Sequence, residues 1–254
     1  MPQRLIKSRM ILLPHLKSYF VAARYSKRKD EHRCMTQGRE KQIKIAYHSS
    51  KNYYDNALAG KGVWGKIYMG FLWNVDDWVI RNKLFSYLPD DFSGKLLDVP
   101  TGTGLFTADK YRKMSNAKII ALDYSEDMLE QARQRFTEIG NVTCVHGDVG
   151  NLPYAEGTFD AVLSMNGFHA FPNKDTAFSE TARVLKKGGS FIATFYIKKE
   201  RTLTDLMVNL VMAKRGWFTP PFWTKTEFET ILRPYYNQIE IDNVNSMVIL
   251  HCVK

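Results

Sequence analysis

The chain has 254 residues, 44% hydrophobic and 24% charged, with 36 Lys/Arg against 26 Asp/Glu. These values suit a folded α/β-sized domain and exclude a low-complexity chain. No run approaches the ~18 apolar residues of a spanning helix. Three scattered cysteines (Cys34, Cys144, Cys252) supply neither a disulfide framework nor a zinc cluster, so no metal is expected and a reducing cytoplasm is the expected compartment.

The net charge of +10 is unevenly placed. Residues 1–34 carry nine Lys/Arg and two acids, whereas the other 220 residues have only three more bases than acids. A nearly neutral body disfavours a polyanion groove, and so a nucleic-acid partner. Three readings fit the basic extension: a nucleic-acid or membrane-surface arm, a targeting segment around MILLPHLKSYFVAA, or a disordered or non-native extension with Met35 as the start. Pro14, His15 and Lys17 interrupt the apolar core of the second, and the third is preferred.

Residues 35–90 read as a helical lid segment. Its stretch from Lys41 to Leu88 carries Tyr47, Tyr53, Tyr54, Trp64, Tyr68, Phe71, Trp73 and Trp78, with a glycine joint at Gly60, Gly62 and Gly65. PDDFSG (89–94) is a turn, and residues 91–254 form the core. KLLDV (95–99) is the first strand and Thr103 to Lys113 the first helix. AKIIALD (117–123) is the second strand, followed by a helix from Ser125 to Ile139 with Ser125 and Asp127 placed to cap it.

NVTCVHGD (141–148) and FDAVLSMN (159–166) are the third and fourth strands. Asp175 to Leu185 is a helix stopped by KKGG (186–189), and SFIATFYI (190–197) is the fifth strand. Strands alternating with helices predict crossover connections and a parallel sheet. The tail predicts a helix over 202–214, an aromatic loop GWFTPPFWT (216–224) within an insertion near 201–224, a helix over 225–232, and two strands around Asn245-Ser246 too close for anything but a hairpin. The expected fold is α/β: a seven-stranded, mostly parallel sheet with helices on both faces and a C-terminal antiparallel hairpin.

Ligands of such sheets sit beyond the carboxyl ends of the strands, where strand order reverses. The loop from Asp98 to Gly104 lies there. Gly102 and Gly104 would let the backbone approach a ligand, and a helix start near Thr103 would offer free N–H groups. Asp98 argues against a pyrophosphate and for an ammonium group; the third glycine of a dinucleotide fingerprint would fall at Thr107. A ligand with a carboxylate, an ammonium, a ribose and an adenine fits better, which describes S-adenosylmethionine. Asp123 closes the second strand where a carboxylate can take ribose hydroxyls. Asp148 closes the third, placed to accept from an adenine amino group while Val149 N–H donates to the ring. Asn166 closes the fourth, facing the methionine end. Each also has a plainer role: Asp123 as a helix-capping acid, Asp148 and Asn166 as turn residues.

At these residues the sequence resembles the class I S-adenosylmethionine-dependent methyltransferases, in particular the ubiquinone/menaquinone-biosynthesis-type (methyltransferase type 11) small-molecule group. The matching segments are LLDVPTGTG, ALDYSEDMLEQAR, HGDVGNLPYAEGTFDAVLSMNGFHAFPN and ARVLKKGGSFIATFY. The resemblance implies a Rossmann-like fold and S-adenosylmethionine as cofactor, with S-adenosylhomocysteine as product. It implies a binding set of Asp98, Pro100, Thr101, Gly102, Thr103, Gly104, Asp123, Tyr124, Met128, Gly147, Asp148, Val149 and Asn166. Tyr47 and Tyr53 of the leading helices are candidates to reach the cofactor carboxylate. Pro100 stands where the family usually has glycine; it lacks an N–H, so Thr101, Gly102 and Thr103 are expected to meet the methionine moiety.

Methyl transfer from a sulfonium is a displacement on an activated group, so alignment and exclusion of water dominate. Where the acceptor must lose a proton, His169 is the candidate base by position, with a packed histidine as the plainer reading. The ending SMNGF lacks the Asn/Asp-Pro-Pro-aromatic signature of amino-directed DNA methyltransferases. Aromatic side chains on two sides (Tyr47, Tyr53, Trp64, Tyr68, Trp73 and Trp78; Trp217, Phe218, Phe222 and Trp223) suit a flat or lipophilic small acceptor, and equally suit core packing. A nicotinamide-dependent oxidoreductase and a non-catalytic methyltransferase-like binding module are the alternatives; monomer and homodimer both fit.

Overall fold

The computed structural model describes residues 76–254. The basic extension 1–34 and most of the segment 35–90, including Tyr47, Tyr53, Trp64, Tyr68 and Trp73, lie outside the described residues. Helix α1 (Asp77–Ser86) is followed by β1 (Gly94–Asp98), α2 (Ala108–Lys113), β2 (Ala117–Asp123), α3 (Glu126–Phe136), β3 (Val142–His146), β4 (Phe159–Met165), α4 (Lys174–Val184) and β5 (Leu185–Tyr196). Then come α5 (Thr202–Met207), a π-helical turn (Val208–Met212), α6 (Lys225–Leu232), β6 (Gln238–Val244) and β7 (Met247–Val253).

One seven-stranded sheet runs in the order β3-β2-β1-β4-β5-β7-β6. The first five strands are parallel, and β7 joins antiparallel to both β5 and β6, as the crossover and hairpin spacing predicts. Strand order reverses between β1 and β4, which opens a crevice at their carboxyl ends.

The strands alternate between two cores because successive side chains point to opposite faces. Leu96, Ile119, Leu163 and Ile192 pack on one face with α1, α2, α3 and the π-helical turn. Leu97, Leu122, Val162, Phe191 and Phe195 pack on the other with α4 and α6. Ile80 and Leu84 make α1 part of the first core. Side-chain caps mark the helix starts: Ser125 accepts from Met128 N–H, Asn173 from Thr176 N–H, and Thr224 with Glu227 forms a capping box.

Three elements differ from the sequence expectation. The first helix starts at Ala108 and not near Thr103, because Gly102 (φ 57°) and Gly104 (φ 69°) take left-handed conformations that a helix cannot continue through. KKGG does not end before the fifth strand; it lies within β5, where Gly188 (φ 75°) donates to Lys254 O and Lys254 N–H donates to Gly189 O. The helix expected over 202–214 is α only to Met207 and then loosens into the π-helical turn. Among the described residues no helix is long and apolar enough to cross a membrane.

Phe178 ties the second core together: it stacks on Phe168 (4.2 Å between centroids) and meets Phe228 edge-on at 5.7 Å. Phe178→Ala is expected to lower unfolding stability by about 3–5 kcal/mol, read as a shift in denaturant midpoint with little change in slope.

Candidate active site

The crevice is floored by two buried carboxylates. Asp98, last residue of β1, accepts from Thr101 Oγ1 at 2.7 Å through Oδ2, while Oδ1 is buried and has no hydrogen-bond partner. Burial pushes its pKa up to about 7, opposed by the Thr101 and Tyr111 hydroxyls and reinforced by the nearby charge of Asp123. Asp123, last residue of β2, accepts from Gly102 N–H and Ser125 N–H, each at 2.8 Å. Burial raises it to about 6 against those backbone bonds. Among the described residues no ion pair reaches either acid.

The two glycines of the turn do different work. A Cβ on Gly102 would meet nothing within 4 Å, so this turn borders open space. A Cβ on Gly104 would collide with the Phe136 ring of α3, so a glycine there lets the loop close over that ring. The loop N–H groups are also largely committed: Thr101 donates to Leu122 O, Gly102 to Asp123, and Gly104 to Thr101 O. Thr101 and Gly102 therefore do not offer the free amides expected to replace the one missing at Pro100. Arg135 donates to Thr103 O from the outer side of the loop.

The remaining candidates follow the ends of β2, β3 and β4 in the chain. Gly147 N–H donates to Asp123 O, and the exposed Asp148 accepts from Gly150 N–H at 2.8 Å, so its turn role is realised. Val149 and Met128 are buried in the flanking core, while Tyr124 is partly exposed beside the ring of His146. Asn166 has φ 56°, a left-handed conformation that asparagine tolerates; its N–H donates to Thr194 O and its Oδ1 is buried without a partner. Thr107 Oγ1 and Tyr111 Oη, which sequence reasoning passed over, are buried on the α2 side; the Tyr111 hydroxyl lies close enough to Asp98 and Thr107 to act on them electrostatically without meeting hydrogen-bond geometry. Only the position of Thr107 at a missing third glycine hinted at them.

His169 sits in a turn after β4 and not in a helix. Its ring stacks on Phe218 at 3.9 Å, and Nδ1 accepts from Tyr196 N–H at 3.5 Å. Burial and the neighbouring Lys174 charge drive its pKa down to about 3, which makes it a poor proton acceptor. The aromatic loop is folded onto this turn: Thr219 N–H donates to His169 O, Thr219 Oγ1 donates to Phe171 O, and the buried Lys174 ammonium donates to Thr219 O beneath the Phe222 and Trp223 rings. Phe218 is buried, and Trp223 packs edge-on against Phe228, so these two are core and not pocket roof. Trp78 is 63% exposed on α1.

Residues 96–189 match a methyltransferase domain family. A chloroplastic methyltransferase of Arabidopsis thaliana, itself uncharacterized, is 35% identical over 118 residues, covering 44% of this chain and 34% of that protein. The demethylmenaquinone methyltransferase of Staphylococcus epidermidis is 35% identical over 115 residues, covering 45% of this chain and 48% of that protein. The chain thus spans between a third and a half of the length of these curated relatives. Among solved structures, a Bacillus halodurans protein assigned to the methyltransferases is 28% identical, with a TM-score of 0.54 over 64% of this chain and 70% of that one. An S-adenosylmethionine-dependent methyltransferase from Aquifex aeolicus shares the fold at 19% identity and a TM-score of 0.52, over 68% of this chain and 88% of that one.

Two tests follow from the geometry. Gly102→Ala and Gly104→Ala share a left-handed strain of about 1–2 kcal/mol, but only the second collides with Phe136. Gly104→Ala should therefore be the more destabilising, by a margin that Phe136→Leu narrows in a double-mutant cycle. The second test is pH. Asp98 and Asp123 hold protons in the folded state that the unfolded chain releases near 3.8, so their contribution to stability is present at low pH and lost as pH rises through 6–7. His169 acts in the opposite sense, its contribution being lost as pH falls below 6.5 towards 3. The stability of Asp98→Asn relative to the parent is thus expected to climb between pH 5 and 8, by about 1.4 kcal/mol per pKa unit; thermal unfolding across that range reads it, and a flat difference contradicts it.

Proposed function

We propose that the chain is a class I S-adenosylmethionine-dependent methyltransferase that moves a methyl group from S-adenosylmethionine to a small aromatic or lipophilic acceptor. One observation carries the reading: a buried carboxylate, Asp98, with one oxygen unpaired at the point where strand order reverses, beside a Gly102 turn that faces open space. An unpaired buried carboxylate oxygen calls for a cationic donor, and an ammonium group supplies one. The committed N–H groups of Thr101 and Gly102 leave the turn poorly equipped for a pyrophosphate, which disfavours the nicotinamide alternative.

In this reading Asp98 takes the ammonium, Gly102 admits the methionine backbone, and Asp123 uses its remaining lone pairs on the ribose hydroxyls. Asp148 and Val149 N–H address the adenine edge beside Gly147, Met128 and Tyr124. Asn166 Oδ1 faces the methionine end. Bound there, the cofactor supplies a methyl group already activated on a sulfonium. The chain's own contribution is alignment and exclusion of water, which requires few reacting side chains. A small lipophilic acceptor is supported by the nearly neutral body, by the half-buried rings of Trp217 and Phe222, and by the name of the staphylococcal relative. A cytoplasmic site of action belongs to the same proposal, resting on the scattered cysteines.

Calorimetric titration with S-adenosylhomocysteine is expected to show one site, with no heat from NADH. Asp98→Asn and Asp123→Ala should each weaken that site at least tenfold, about 1.4 kcal/mol. Saturable NADH binding, or undiminished affinity in Asp98→Asn, overturns the proposal.

A further inference from the structure

We infer that His169 is a neutral hydrogen-bond donor that grips an oxygen of the methyl acceptor, and that it is not the base of the reaction. This deepens the function proposed above and rests on it. The argument begins with the ring's two nitrogens. Nδ1 accepts from Tyr196 N–H at 3.5 Å, so in a neutral imidazole the proton must sit on Nε2. Nε2 is buried and has no hydrogen-bond partner, although the residue as a whole is only 4% exposed. A buried N–H left unpaired costs free energy that a ligand oxygen would recover.

The surroundings keep the ring in that state. Phe218 lies parallel to one face at an interplanar angle of 8°, which fixes the ring plane. The charged group that acts on it is Lys174, a cation that opposes protonation; the other titratable group nearby, the Tyr196 hydroxyl, is turned to Asp205 at 2.6 Å. Among the described residues no carboxylate forms an ion pair with the ring, and burial and Lys174 both oppose its protonation. A ring so held donates from Nε2 across the ordinary pH range and accepts nothing there.

The location suits the acceptor. His169 follows β4 by four residues and bonds to the last residue of β5, while Asn166, between them, bonds to Thr194 of the same strand. Its N–H donor and the unpaired Asn166 Oδ1 are opposite in sense. A planar phenol or quinol presents an oxygen that can accept from such an N–H.

The test uses 1,4-naphthohydroquinone, kept reduced, titrated into full-length protein saturated with S-adenosylhomocysteine, with tryptophan fluorescence as the readout. His169→Phe is expected to lose quinol affinity tenfold or more, whereas His169→Gln, which keeps a side-chain donor, stays within about threefold of the parent. S-adenosylhomocysteine affinity should be equal in all three proteins. Nitrogen NMR of the imidazole should show the Nε2-protonated neutral form from pH 5 to 8, with the Nε2 resonance moving on quinol addition. The inference is overturned if His169→Phe binds the quinol normally, as it would if a buried water served Nε2. It is equally overturned if the cofactor-loaded parent ignores the quinol, or if the imidazole titrates within that range. Failure to bind S-adenosylhomocysteine at all would instead strike the proposed function itself.

Discussion

The carboxylate of Asp123 organises the crevice. Its two oxygens accept from Gly102 and Ser125, and its backbone carbonyl accepts from Gly147. One residue at the end of β2 thereby fixes the turn after β1, the start of α3 and the exit from β3. Hydrogen bonds to a carboxylate are roughly twice as strong as neutral ones, which offsets much of the cost of burying it. Leu122, one residue earlier, adds its carbonyl to Thr101 N–H. The end of β2 is thus a template against which the glycine turn is shaped, and the position of Asp98 Oδ1 follows from that shape.

The frame of the fold was legible because period-2 burial on both faces produces apolar runs such as KLLD, AKIIALD and FDAVLSM, and crossover lengths force them parallel. The cap at Ser125 was legible for a similar reason: its side chain acts within three residues. What escaped was decided at longer range. The late start of α2 depends on left-handed angles at both glycines, and the need for Gly104 depends on Phe136, 32 residues away. KKGG reads as a stop until Lys254 is seen to pair across it. Composition likewise could not divide the aromatic residues between roof and core; that division is made by Phe228, Phe178 and His169, which occupy the faces of Trp223 and Phe218.

The same long-range packing changes what His169 can be. A histidine after the fourth strand suggests a base when only its position is known. Once Phe218 covers its face and Lys174 stands nearby, charging the ring would mean placing a second cation in an apolar setting. The loop that supplies Phe218 is itself held by Thr219 and the Lys174 ammonium, so residues 169–174 and 217–223 form one unit.

The distinction between a phosphate-bearing cofactor and a zwitterionic one can now be argued from hydrogen-bond supply. A turn that cradles pyrophosphate needs several backbone donors pointing outwards and a helix beginning at the turn. Here Thr101 and Gly102 donate inwards and the helix starts at Ala108, after the two left-handed glycines. Among the described residues, the buried polar atoms without a hydrogen-bond partner include two acceptors at strand ends, Asp98 Oδ1 and Asn166 Oδ1. Burial raises the carboxylates at the ends of β1 and β2, Asp98 to about 7 and Asp123 to about 6, and a cation beside them would favour their ionised forms. An ammonium-bearing nucleoside meets that demand, and an anion would increase the strain already present.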